Sequence, residues 1–312
     1  MEDYPRTLSE FEEKFSSEEA CRDYLCRLRW PLGFICPRCQ ATKAWPTKRN
    51  LLVCGACGYQ ASMTAGTIFQ DTHKPLGMWF RAIWFVTNQK TGASALSLQR
   101  LLGLGSYLTA WTWLHKLRRA MVRPGRDRLS GRIEVDETYI GGVRPGKRGR
   151  GALGKSLVVI AAEKDGKRIG RIRLVRVPDA SAESLEEAVR QSIIPGSVIS
   201  TDAWKGYGRL ISHGYNHDVV RKTAEVGDNL LPHCHRVAAL LKRWILGTHQ
   251  GAVSHNHLDY YLDEYTFRFN RRTSGSRGKL FYRLVQQAAA IEPAPYQAMI
   301  ETVKSKKCLH KI

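Results

Sequence analysis

The sequence predicts an α/β protein in which a cysteine module and a helical region precede a mixed sheet. Three observations predict it. Four of the eight cysteines are concentrated between residues 36 and 57. A Trp-, Leu- and Ala-rich stretch over 75–122 has helical texture, with its apolar residues at three- and four-residue steps. Past residue 131 the texture turns to β, with IEVDETYI, SLVVIAAE and RIRLVRV in quick succession between turn signals.

The 312 residues leave room for roughly two domains of about 150 residues each. Lys and Arg number 49 against 28 Asp and Glu, a net charge of +21 that favours polyanionic partners. No apolar run approaches the ~20 residues of a membrane helix. The start, MEDYPRTLSEFEEKF, has neither the basic residues nor the apolar stretch of a signal peptide. The expectation is a soluble, cytoplasmic protein whose partner is double-stranded DNA and not a membrane.

Residues 1–32 read as N-terminal helices. Leu8, Phe11 and Phe15 share one face, and Tyr24, Leu25 and Leu28 follow in a second helix started by Ser16-Ser17-Glu18-Glu19. Residues 33–70 read as a zinc ribbon. Cys36-Pro-Arg-Cys39 and Cys54-Gly-Ala-Cys57 can each present two thiolates to one Zn²⁺, and Gly58 suits the turn after the second pair. A redox site would need one CxxC and not two, and four protein ligands make the zinc structural. Residues 75–122 read as a helix-turn-helix-like DNA-binding region, with its turn at Gly103–Ser106. Leu98, Leu101, Leu102, Leu108, Trp111 and Leu114 are its expected core. Tyr107, Thr109, Thr112, His115, Lys116, Arg118 and Arg119 are expected to face DNA. An ordinary helical hairpin packed on the ribbon is the alternative. A basic, turn-rich linker, VRPGRDRLSG, closes this half.

Residues 131–290 are the expected catalytic domain, and 291–312 a C-terminal tail. After the three β runs come the helix SAESLEEAVRQSI, the strand SVISTDA, a short helix WKGYGRLISHG, the strand HDVV, and a long helix from about 230 to 246. Three strands, helix, strand, helix, strand, helix is the order of an RNase H-like α/β domain, which brings the acids of strands one and four together. Asp136 and Asp202 are each expected at the end of a buried strand, the first and the fourth, where the strand presents a carboxylate. Either alone is often a turn former. Sixty-six residues apart in this order, they come onto adjacent strands, where two carboxylates repel unless a cation such as Mg²⁺ or Mn²⁺ neutralises them. Glu137 should point to the opposite face. Between the first two strands, Arg144, Lys147, Arg148, Arg150 and Lys155 form a basic, glycine-rich hairpin tip suited to gripping the DNA backbone.

With these residues in view, the chain resembles bacterial insertion-sequence transposases of the DDE class, the group with an N-terminal zinc ribbon and an RNase H-like catalytic domain. The resemblance runs over CPRC…CGAC, SLQRLLGLGSYLTAWTWLHKLRRAM, EVDETYIGG, TDAWKGY, HRVAALLKRWILGTHQG and HLDYYLDEYTFRFNRR. It implies binding of terminal inverted repeats, divalent-metal-dependent cleavage at the element ends, and transfer of a 3′-hydroxyl into target DNA by a homo-oligomer bound to DNA. In this class a third metal-binding residue, usually Glu and sometimes Asn, lies on the last helix with Lys or Arg seven residues on. Counting about 33 residues from Asp202 reaches His235, and seven further is Lys242. Glu264 is the alternative third ligand. Lys242, Arg243 and Lys205 are the expected phosphate contacts, although Lys205 reads equally as a solvated helix lysine. A non-catalytic zinc-ribbon DNA-binding protein, a decayed transposase and a structure-specific nuclease remain the other readings.

Overall fold

A computed structural model describes residues 2–123, 125–141, 155–223 and 229–300. The chain divides into two units, Met1–Pro124 with Ser274–Ile312, and Gly125–Thr273. In the first, α1 (Leu8–Lys14) starts at Thr7 and α2 (Glu18–Arg29) at Ser17. Each of those hydroxyls accepts a first-turn N–H that would otherwise lack a partner. The short antiparallel strands β1 (Ala44–Pro46), β2 (Leu52–Cys54) and β3 (Gln60–Ala61) make the ribbon. Then come α3 (Leu76–Asn88), α4 (Ala95–Leu102) and α5 (Tyr107–Ala120). The turn between the last two opens with Gly103 at φ +60°, the left-handed conformation that glycine adopts without penalty.

The second unit is built on a five-stranded sheet of β4 (Arg132–Ile140), β5 (Ser156–Asp165), β6 (Arg168–Val177), β7 (Val198–Thr201) and β8 (Asn216–Val219), ordered β6-β5-β4-β7-β8. The first three strands are antiparallel neighbours, while β7 and β8 run parallel to β4. This is the RNase H-like order expected from the sequence. Strand alternation sends side chains to two cores. Ile133, Val135 and Ile199 pack with α6 (Ala182–Ser192) on one face. Ile140, Val158 and Ile160 pack with α7 (Pro232–His249) and α8 (Leu258–Asn270) on the other. The expected short helix over 204–214 is instead two single 3₁₀ turns, Lys205–Tyr207 and Ile211–His213. Three glycines in that segment raise the cost of a continuous α-helix. No helix among the described residues is long and apolar enough to cross a membrane.

The chain then returns to the first unit through α9 (Arg277–Ala290) and α10 (Tyr296–Ile300). Phe281 of α9 is fully buried, its ring centroid 5.4–5.8 Å from those of Phe11, Phe15, Phe80 and Trp84. One turn earlier, Gly278 lets the N-terminal segment cross the helix, because a Cβ there would lie 1.6 Å from the Pro5 carbonyl oxygen. The expected catalytic domain of 131–290 therefore runs one helix too far.

Helix α5 also departs from expectation. His115 and Arg118 are buried, at 0% and 2% exposure, so the expected contact of Arg118 with DNA is corrected. The reason is that α5 packs against both α4 and α9 and so buries more than one side. Trp113 stacks on Trp79 at 3.8 Å between ring centroids, and the Lys116 ammonium lies 6.0 Å from the Trp79 ring. Conversely, Leu101 and Leu108, expected in the core, are exposed, and Leu104 is buried in their place.

Candidate metal centres and catalytic site

The ribbon's metal centre is made twice by the same local device. After each CxxC the chain turns through a left-handed residue, Gln40 at φ +64° and Gly58 at φ +68°. That residue's N–H donates to the carbonyl of the first cysteine, Gln40 to Cys36 and Gly58 to Cys54, both at 3.0 Å. The N–H of each first cysteine donates in turn to the residue two beyond the second, Cys36 to Ala41 and Cys54 to Tyr59, both at 2.9 Å. Two such knuckles bring the four Sγ atoms within 4.8 Å of one another, with Cys36 to Cys57 at 3.7 Å and Cys39 to Cys54 at 3.5 Å. A tetrahedron of thiolates ~2.3 Å from zinc has edges of about 3.8 Å, so the site fits a structural Zn²⁺. Backbone N–H groups of Cys57 and Ala56 point at Cys54 and lower the pKa of its thiol, while the crowding of the neighbouring thiols raises that of Cys39, so the four sulfurs together become thiolates only with a cation among them.

In the second unit strand register relates the two aspartates, and Asp136 lies midway along β4 and not at the strand end expected from the sequence, because β4 continues to Ile140 in its pairing with β5. Arg132 lies opposite Val198 and Glu134 opposite Ser200 in the parallel β4–β7 pair, an offset of 66. The same offset carries Asp136 to Asp202, which stands just past the end of β7. Burial pushes the Asp136 carboxyl up to about 6, helped by the negative charges of Glu137 and Asp202 and opposed by the Glu137 N–H and by His235. Asp202 is oriented locally, its Oδ1 accepting the Trp204 N–H at 3.0 Å. Glu137 faces the other way, as expected, and accepts a 2.9 Å bond from the hydroxyl of buried Tyr207.

His235 reaches Asp136 from the second turn of α7, with Nε2 3.4 Å from Oδ2. Its Nδ1 donates to the Asn229 carboxamide oxygen at 2.5 Å. A neutral imidazole held that way turns the Nε2 lone pair toward a carboxylate, an arrangement that calls for a proton or a cation between the two. By chemistry two carboxylates and an imidazole suit a divalent cation such as Mg²⁺ or Mn²⁺, whereas among the described residues the four ribbon cysteines are the one group of three or more such ligand atoms within 4.8 Å of one another. Lys242 lies two turns further along α7; burial and Lys155 lower its pKa while Asp136 opposes them. Arg243 beside it and Lys205 on the 3₁₀ turn after Asp202 are exposed. Glu264 is elsewhere. It is buried on α8 in an ion pair with Arg268 at 2.8 Å, and α8 packs on β6, two strands from β4. An open cleft of about 410 Å³ adjoins Asp202, lined by Trp204, Val220, Arg221, Lys222 and Leu230. Arg148 and Arg150, with the rest of the expected basic hairpin tip except Lys155, lie outside the described residues.

Sequence reasoning missed Glu134. Its side chain is buried on the same face of β4 as Asp136, and its carboxylate accepts bonds from the N–H groups of His233 and Cys234 at 2.8 and 3.2 Å. His233 Nδ1 donates to it as well, at 2.7 Å, and Lys164 Nζ is 3.5 Å away. The signal was available, since residues two apart on a strand share a face.

Comparison with protein families gives two matches. Residues 128–270 match the ISXO2-like transposase domain, and residues 16–60 match the transposase zinc-ribbon domain. No curated protein matches the chain.

Proposed function

This chain belongs to the insertion-sequence transposases of the DDE class that carry an N-terminal zinc ribbon, and we propose that it cuts DNA at the terminal inverted repeats of its element and transfers the freed 3′-hydroxyl to target DNA. The observation that carries this reading is the shared offset of 66, which relates Asp136 on β4 to Asp202 one residue past the parallel strand β7, with the His235 imidazole 3.4 Å from one carboxylate. Asp136, Asp202 and His235 are the groups that would hold divalent cations, Mg²⁺ or Mn²⁺. Such cations, when bound, lower the pKa of a coordinated water or hydroxyl and neutralise charge on the leaving oxygen. The protein's own part is to align the DNA. Lys242, Arg243 and Lys205 contact phosphates flanking the scissile bond and fix its approach to the acids. The zinc ribbon and the exposed face of the α4–α5 pair hold the element ends. Bringing two ends together requires at least a dimer on DNA.

One observation favours a second reading, a DNA-binding protein that no longer cuts. The group nearest Asp136 is an imidazole where the family resemblance implies a carboxylate, and it is a softer ligand than Mg²⁺ prefers. Cleavage of a labelled duplex carrying the element's own ends, in Mg²⁺ or Mn²⁺, decides between them. Under the catalytic reading, Asp136→Asn and Asp202→Asn each bind the ends like wild type and lose about 10³-fold or more in cutting, roughly 4 kcal/mol of transition-state stabilisation. A wild-type protein that binds the ends and never cuts with either metal overturns that reading in favour of the binder.

A further inference from the structure

Helix α7 has no N-cap side chain of its own. Leu231 occupies the cap position and makes no side-chain cap bond, and Pro232 follows at the first turn. Eighteen residues of helix dipole thus begin next to a buried strand with their first N–H groups unclaimed by local sequence. Glu134 claims them from β4. Its Oε2 takes the His233 and Cys234 N–H groups, and its Oε1 takes His233 Nδ1. The next rung of the same strand and helix is Asp136 with His235. Strand and helix therefore meet at two consecutive rungs, 134 with 233 and 136 with 235, each an acid facing a histidine. Between the rungs, Cys234 is fully buried, and its thiol donates to the Ile160 carbonyl at 3.5 Å, tying the helix to β5 as well.

We propose that Glu134 is a positioning residue for the proposed cation site: by capping α7 from the sheet it sets the register of the helix against β4, and so the approach of His235 to Asp136. The proposal rests on the catalytic reading of Asp136 and His235, but the clamp is separable from it. Glu134 touches no reacting atom; it acts through α7. Without its carboxylate, two first-turn N–H groups and the His233 ring lose their acceptor inside the protein, and the helix end shifts or frays. Since β5, β6 and α8 still bury most of α7's apolar face, the fold survives and the geometry at His235 does not.

The test uses the full-length, zinc-loaded protein with Glu134→Gln and Glu134→Ala. Glutamine keeps one acceptor oxygen and is the variant expected to fold like wild type, by circular dichroism and by one zinc per chain. Two readouts follow. Amide hydrogen exchange at His233 and Cys234 reports the clamp itself, without metal or DNA. Mn²⁺ binding, followed by its paramagnetic resonance signal on uncleaved protein, reports the site. Expected are exchange at both amides faster by about tenfold in Gln and more in Ala, with Mn²⁺ affinity weaker by about 10- to 100-fold, the range seen when an outer partner of a metal ligand is removed. Slower end cleavage at limiting Mn²⁺ than at saturating Mn²⁺ should accompany it. Folded Gln and Ala variants with wild-type exchange at these amides, or with faster exchange and unchanged Mn²⁺ affinity, overturn the proposal. If wild type binds Mn²⁺ nowhere in this unit, the catalytic reading fails, and the exchange result still stands for the clamp alone.

Discussion

The ribbon's four cysteines and the proposed cation site at Asp136, Asp202 and His235 draw on distant residues by opposite routes. In the ribbon each half-site is finished within six residues: a CxxC turn, a left-handed residue at 40 or 58, and two backbone bonds that repeat at the same distances. In the second unit nothing is finished locally. Asp136 and Asp202 are related only through the parallel pairing of β4 and β7 with an offset of 66, and His235 arrives from a helix after the fifth strand. A site made of local repeats depends on its metal for stability. A site made by sheet register depends on the sheet.

The largest effect that could break this comparison is loss of zinc. Cys54→Ser, or chelation of wild type, should unfold the ribbon, because structural zinc supplies ~10–16 kcal/mol in small modules that have little other core. End binding should fall with it, while the sheet of the second unit keeps its amide protection. Zinc content by mass spectrometry and residue-resolved hydrogen exchange measure both halves at once. A ribbon that keeps its exchange protection after zinc removal would mean that its short strands hold it without metal.

The converse perturbation is smaller. Ile199 is fully buried on β7, three residues before Asp202, and faces Ile133 in the strand pair. Ile199→Ala should cost about 3 kcal/mol of the second unit's stability through a lost side chain and a partial cavity. Its signature is a lower unfolding midpoint for that unit and weakened Mn²⁺ binding, with one zinc per chain retained. Unchanged Mn²⁺ binding would show that the acids are held by contacts nearer than the strand register.

The same contrast explains what could be read in advance. The four ligands of the ribbon were legible because their spacing alone closes the site. The aspartate pair was legible because the order of strands and helices fixes a sheet topology, and the topology supplies the register. What escaped depended on which surface a pattern meets. Helix 277–290 carries a clean apolar stripe, but a stripe does not say that it packs on Phe11 and Trp84 and not on the sheet. Arg118 looked like a DNA contact because arginine is rarely buried, and only the packing of α5 against two helices reverses that. Glu134 was passed over for a different reason. Attention fell on strand ends, whereas its value lies in what a helix a hundred residues later lacks.

The smallest prediction tests whether the two knuckles are one device repeated. Gly58 and Gln40 adopt the same left-handed backbone, with φ differing by only a few degrees, yet one is glycine and the other is not. A Cβ on Gly58 would meet nothing within 4 Å, so Gly58→Ala costs backbone strain alone, about 1 kcal/mol. Gln40→Gly removes that strain from the first knuckle but gives the unfolded chain more freedom, leaving a gain of at most about 1 kcal/mol. In a competition titration against a chelator, Gly58→Ala should release zinc about fivefold more readily, and Gln40→Gly should hold it equally or up to about fivefold more tightly. Opposite signs would establish that position 40 bears a strain that position 58 avoids, and that the knuckles are conformationally equivalent. Weaker zinc retention in Gln40→Gly would mean that the glutamine side chain supports the first knuckle by a contact of its own, and the symmetry of the ribbon would then be one of backbone shape only.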